Sequence, residues 1–217
     1  MHLPITALGE NYTMRLILIR HGEAVGNASK VMLGRQDVPL TERGRQQALA
    51  LREKLPPPNA IYTSPLQRCR DTATLMNPCP DLKIQELAEL IEIDQGIFTG
   101  LTWAQAQAQH PDLCAELEES DYLIPVPEAE SMAMAWQRAK QAWKKLRRHS
   151  DEDCVWCVSH GGFLQCLISV VLGSDRLWGI EIPPAAWFDF SVRVDLDGRF
   201  EAENIHWWRI NTFNGCP

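Results

Sequence analysis

The chain has 217 residues, 45% hydrophobic and 23% charged, which is enough for one sizeable core in a single globular domain, and it contains no apolar run long enough to span a bilayer. Its net charge of -7 is unevenly placed: Ile84 to Gln137 carries eleven Asp and Glu and no Lys or Arg. All 21 basic side chains lie outside that segment without forming a stripe or block, which argues against a nucleic-acid partner.

Met1–Thr13 lacks the basic start and continuous apolar stretch of a signal peptide. It reads as a loose tail before a domain over 14–217, with Met14 as an alternative start. Seven cysteines, an odd number scattered through predicted strands and helices, read as reduced core residues, and a cytoplasmic location follows.

Arg15–Gly22 is an apolar, β-branched run that ends abruptly in Arg20, His21 and Gly22. This is the pattern of a buried parallel strand delivering its last side chains to a site, because ligands collect at the carboxyl ends of such strands. Glu23–Leu40 is a long connection of the kind that is usually functional or disordered. Thr41 is a predicted N-cap for a helix through about Leu55, with Ala48, Leu49 and Leu51 among its apolar positions. Ala60–Thr63 is a short strand. Ser64-Pro65 then reads as a capping hydroxyl followed by proline at the first position of a helix reaching Met76.

Lys83–Leu87 is a further strand, and Glu89–Gly100 a loop punctuated by Gly96 and Gly100. Two short helices follow, Trp103–Gln109 and Pro111–Glu119. Glu128–His149 has helical period, with Met132, Trp136, Ala139 and Trp143 on one side. Asp153–Ser159 is a strand and Gly161–Leu172 a helix. Ala186–Val194 and Arg199–Trp207 flank Asp197-Gly198, a hairpin turn. The alternation predicts an α/β fold: a three-layer αβα sandwich with a mostly parallel sheet, helices on both faces and an antiparallel C-terminal hairpin. That hairpin offers an edge at which a second copy would pair as a homodimer.

Three strand ends carry comparable groups: Arg20-His21-Gly22, Ser64-Pro65-Leu66-Gln67-Arg68, and Ser159-His160-Gly161-Gly162. At one sheet edge they would gather two guanidiniums and two imidazoles around one anion, which arginine clamps with several hydrogen bonds at once. Cations nearby depress a histidine's pKa and keep a nucleophilic imidazole neutral. The Glu89–Gly100 loop offers Glu89, Glu92 and Asp94 as the acid for a leaving oxygen, since a carboxylate beside bound phosphate is pushed up toward that role.

His2, His110, His149 and His206 lack such company and read as surface or packing residues. Cys154-Val-Trp-Cys157 lies in a strand pattern, where alternate residues face opposite ways, and so does not read as a redox pair.

Arg20-His21-Gly22-Glu23, Gly34-x-x-Asp37-x-Pro39-Leu40-Thr41-x-x-Gly44-x-x-Gln47-Ala48, Ser64-Pro65-Leu66-x-Arg68, Glu92-Ile93-Asp94-x-Gly96-x-x-x-Gly100, Glu130-Ser131 and Ser159-His160-Gly161-Gly162 together resemble the histidine phosphatase superfamily, in the same order. The resemblance implies catalysis by His21, Glu92, His160, Arg20 and Arg68. His21 would be phosphorylated, with Arg20, Asn27, Arg68 and His160 binding the phosphoryl group. Glu92 would be the general acid, with Glu89 the fallback. No metal or organic cofactor is implied.

Ala24 and Val25 depart from the signature of the phosphoglycerate mutases, and Ala129 replaces the glycine usual before Glu130-Ser131. The basic-free segment, read as an acidic lid over about 97–130, would repel a dianionic substrate body. Trp103, Phe98 and Tyr122 would offer that body an apolar wall. The expected function is hydrolysis of a small phosphorylated metabolite through phosphohistidine. The alternatives are a phosphoglycerate mutase-type isomerase and a non-catalytic phospho-ligand-binding protein.

Overall fold

Alternation along the strands sorts the core into two layers. The computed structural model describes residues 14–120, 124–149, 153–177, 179–192 and 208–217. Strand β1 (Met14–Arg20) turns Met14, Leu16 and Leu18 to one face and Ile17 and Ile19 to the other, and all five are fully buried. Its neighbour β4 (Cys154–Ser159) divides the same way, with Val155 and Cys157 against Cys154, Trp156 and Val158. A strand buried on both faces needs covering helices on both.

One face is covered by α5 (Met132–Leu146) and α6 (Gly161–Val171), which contribute Ala139, Trp143, Phe163 and Leu167. The other is covered by α1 (Glu42–Lys54) and α2 (Gln67–Met76), through Leu51, Cys69, Ala73 and Met76. The sheet is completed by β2 (Ala60–Thr63), β3 (Ile84–Glu86), β5 (Trp187–Val192) and β6 (Trp208–Gly215). Its order is β3-β2-β4-β1-β5-β6, with the first four strands parallel and β5 and β6 each antiparallel to the strand before. This is the expected three-layer α/β sandwich.

The antiparallel partner of β5 is Trp208–Gly215, and the predicted strand Arg199–Trp207 with its Asp197-Gly198 turn lies outside the described residues. Thr41 caps α1 as predicted, its hydroxyl accepting from the Gly44 N–H at 3.1 Å. Leu49, expected on the buried stripe, is 46% exposed, because the apolar face of α1 is narrower and runs through Ala48 and Leu51.

Helix α2 corrects the sequence reading more instructively. It begins at Gln67 and not at Pro65, and Ser64 does not cap it. Instead Asp37, thirty residues earlier, accepts from the Gln67 N–H at 2.6 Å and brings a negative charge to the helix start.

Helices α3 (Trp103–Gln109) and α4 (Pro111–Glu119) form a satellite around Phe98, Ala106 and Cys114, with Met32 packed against it. Phe98, expected as pocket wall, is buried there edge-on to Trp103. Trp103 donates its indole N–H to Glu118, and Tyr122 lies outside the described residues. Cys154 and Cys157 are free buried thiols of β4, and burial raises both, Cys154 to about 11.

Candidate active site

The parallel strands β1, β2 and β4 end side by side, so the residues that follow them share one volume. His21 follows β1, Ser64 follows β2 and His160 follows β4, immediately before the first residue of α6. The imidazoles of His21 and His160 meet edge to face, with ring centroids 5.2 Å apart. Both are almost wholly withdrawn from solvent.

The partners of His21 settle which of its nitrogens carries the proton. Nδ1 lies 2.7 Å from the Gly22 carbonyl, which can only accept, so Nδ1 holds the hydrogen. Nε2 receives the N–H of Arg68 Nε at 3.2 Å, which requires a lone pair there. The ring is therefore a neutral imidazole with Nε2 as its nucleophilic atom. Its pKa is pushed well below the usual histidine range, first by burial and then by the charges of Arg20 and Arg68.

Arg68, 1% exposed, leaves α2 and reaches back under the first loop. Its Nη1 and Nη2 donate to the carbonyls of Gln36 (2.6 Å) and Gly34 (2.9 Å). Arg20 donates through Nη1 to the Ile182 carbonyl, and its buried Nε has no partner among the described residues. Burial lowers the pKa of both arginines, yet both remain cations at any physiological pH.

His160 is anchored by Ser64 Oγ, 2.7 Å from Nε2, with Cys69 Sγ 3.4 Å from the same nitrogen. The serine read as a helix cap is thus a support for the second histidine. Burial, followed by His21, Arg68 and Arg20, drives the His160 pKa well down. Cys69 is itself driven upward by burial, which keeps it a thiol.

Two neutral imidazoles and two guanidiniums at the ends of parallel strands can hold a tetrahedral anion and offer it a nitrogen lone pair. The sequence profile of the histidine phosphatase superfamily (branch 1) matches residues 16–199. The chain belongs to this superfamily.

Among similar proteins, phosphoserine phosphatase 1 of Hydrogenobacter thermophilus is 28% identical over 178 residues, covering 80% of this chain and 84% of its own. A probable phosphoglycerate mutase (GpmB) of Escherichia coli is 32% identical over 170 residues, covering 74% and 75%. Among solved structures, the mycobacterial glucosyl-3-phosphoglycerate phosphatase superposes with a TM-score of 0.74 at 26% identity, covering 93% of this chain and 99% of its own.

In this histidine phosphatase Glu92 lies in the loop before α3. Its carboxylate accepts from the backbone N–H groups of Ile93 (2.9 Å), Phe163 (2.8 Å) and Gly162 (3.2 Å), and so sits on the N-terminus of α6, directly after His160. Glu89 is held elsewhere, 2.7 Å from Lys145 of α5, which lowers its pKa. Asn27 accepts from the Ala24 N–H through Oδ1 at 2.8 Å, which curls the first loop and leaves its amide N–H groups as the donors available to an anion.

The structure also adds Thr72, Arg35 and Arg138, which the sequence reading did not single out. Thr72 accepts from the Gly22 N–H at 3.0 Å and donates to the Arg68 carbonyl at 2.7 Å, pinning α2 to the turn after β1. Its place four residues after Arg68, on the same helical face, was the available signal. Arg35, Glu130 and Arg138 form an ion-paired cluster behind Glu92. That cluster and the Glu89–Lys145 pair neutralise three carboxylates of the acidic segment, Asp94 also facing Arg35 at 3.6 Å. The repulsion expected from the segment as a whole is correspondingly reduced. Among the described residues no helix is long and apolar enough to cross a membrane.

Proposed function

We propose that this protein hydrolyses a small alkyl phosphomonoester through a phosphohistidine formed at Nε2 of His21. The observation that carries this reading is the fixed neutral tautomer of His21, with its lone pair facing the space bounded by Arg20, Arg68 and His160. His21 Nε2 attacks phosphorus in line as the ester P–O bond breaks, and Glu92 gives its proton to the departing alkoxide. Water then attacks the phosphohistidine, Glu92 takes a proton from it, and the N–P bond breaks to release phosphate. Arg20, Arg68, His160 and Asn27 hold the phosphoryl oxygens, whose charge spreads in the transition state. The nucleophile of the first step and the acid and base of both steps are side chains, so the reading is metal-independent.

Phosphoserine is the first substrate to test, supported by the similarity to a phosphoserine phosphatase. The α3–α4 unit is read as the outer wall of the pocket. This is supported by its bridge from Thr102 to Val31 and the Gly100 N–H to Met32 carbonyl bond, both on the loop that holds Arg68. A cytoplasmic enzyme fits the reduced thiols, and edge strand β6, with Trp208 and Phe213 exposed, is where a second copy would pair. A second reading, isomerisation of a phosphoglycerate, is favoured by the 32% identity to the probable mutase.

The test is product analysis on phosphoserine, 3-phosphoglycerate and a small phosphomonoester panel, following free phosphate and isomer together in the presence of chelator. Phosphate without isomer is the expected result. Isomer as the main product would replace hydrolysis with the mutase reading, and no product on any substrate would overturn both.

A further inference from the structure

Glu92 lies in a loop without regular structure between two 3₁₀ turns, yet an acid that must meet a leaving oxygen needs a fixed position. The guanidinium of Arg138, on the inner side of α5, supplies one. A guanidinium has five N–H bonds. Nη1 donates to the carbonyls of Glu89 (2.8 Å) and Ile91, and Nη2 to the carbonyl of Glu92 (3.4 Å). The other two go to Glu130, from Nε to Oε1 at 2.9 Å and from Nη2 to Oε2 at 2.6 Å. All five are engaged, on a side chain 14% exposed paired with one 6% exposed.

The central carbon of the same guanidinium lies over the ring of Phe163, 4.2 Å from its centroid, and the Phe163 N–H holds Glu92 Oε1. Arg138 therefore grips the main chain of Glu92 directly and, through Phe163, the backbone donor that aims its carboxylate. Arg35 completes the cage, donating from Nε to the Glu92 carbonyl and from Nη2 to Glu130, each at 3.1 Å.

We infer that Arg138, oriented by Glu130, is a positioning residue for proton transfer by Glu92, an inference that rests on the proposed role of Glu92 in phosphomonoester hydrolysis. Lysine cannot replace it, because a point charge with three donors can neither span three carbonyls and a carboxylate nor stack in a plane. Glu130, the first residue of the Glu130-Ser131 motif, serves the acid from thirty-eight positions along the chain and touches no substrate.

The experiment compares two substrates that differ in their need for an acid. Phosphoserine must expel a basic alkoxide, whereas p-nitrophenyl phosphate expels a stable phenolate. Glu92→Gln calibrates the assay, read as kcat/KM because that ratio reports phosphorylation of His21 and not the hydrolysis of phosphohistidine common to both esters: it should lose about 10²–10⁴-fold on phosphoserine and far less on p-nitrophenyl phosphate. Arg138→Lys and Glu130→Gln should show the same asymmetry, with a loss of about 10- to 100-fold in kcat/KM on phosphoserine and a near-normal kcat/KM on p-nitrophenyl phosphate. Turnover of the aryl ester also reports that each variant has folded, and Glu130→Gln, which keeps its shape, serves should Arg138→Lys fail to fold. Equal losses on both substrates, or none, in variants whose Glu92→Gln control is asymmetric would overturn the positioning role alone. A symmetric Glu92→Gln control would overturn the proposed acid and, with it, this inference.

Discussion

Arg68 Nε donates to His21 Nε2 across 3.2 Å, so a cation occupies the lone pair that the proposed mechanism directs at phosphorus. Without substrate the contact keeps His21 in its reactive tautomer. When a phosphoryl oxygen arrives, the same N–H has a stronger, charged acceptor, and the lone pair is released. Arg68→Lys should therefore lower kcat by about 10²–10³-fold, the usual cost of removing one transition-state donor. It should also weaken binding of vanadate, a phosphate mimic, measured by inhibition. Unchanged vanadate inhibition would remove Arg68 from the phosphate site.

His21→Ala should abolish the phosphoenzyme outright. Acid-labile, base-stable phosphoryl label should appear on the wild-type protein after a brief reaction with substrate and be missing from the variant. Turnover should fall by about 10⁴-fold or more, as when a nucleophile is removed. Label retained on His21→Ala would place the nucleophile elsewhere.

Two buried neutral histidines make folding sensitive to pH in a definite direction. Their folded pKa values lie well below 6.5, so on acidification the unfolded chain takes up protons that the folded chain refuses. The stability they govern is fully present above about pH 6.5 and is lost as pH falls toward the folded values. Thermal midpoints recorded in steps downward from neutral should decline below that point, and His21→Asn should make the decline shallower. An identical decline in the variant would mean that other groups govern it.

The turn that carries His21 is locked by two glycines. A Cβ on Gly44 would fall on the backbone of Glu23, and one on Gly22 on the carbonyl of Gly44. Gly44→Ala should cost about 1–3 kcal/mol, the range for overpacking, and should lower activity because the displaced segment follows His21 directly. Denaturant titration alongside phosphate release would check both, and a neutral substitution would show that the helix can shift away freely.

What could be read in advance were features written locally. The apolar run ending in Arg20-His21-Gly22 could only be a buried strand reaching a sheet edge, and Thr41 could be read as a cap because its partner is three residues away. The start of α2 was misjudged because its cap, Asp37, belongs to a distant loop, while Ser64 is engaged with His160. Leu49, one of the apolar positions of the predicted helix, is exposed because helical period gives a direction but not a width. The cage behind Glu92 was invisible for a different reason. Arg138 is joined to it mostly through backbone carbonyls, and these carry no trace of side-chain identity.

That last property extends to the arginines of the pocket. Gly34, Gln36 and Ile182 hold Arg68 and Arg20 by main-chain oxygen alone, and among the described residues neither arginine makes an ion pair. A substitution at Gln36 or Ile182 that leaves the backbone in place changes a side chain without deleting one of these anchors. Mutational drift can thus rewrite what the enzyme recognises while the apparatus that breaks the phosphate bond stays where it is.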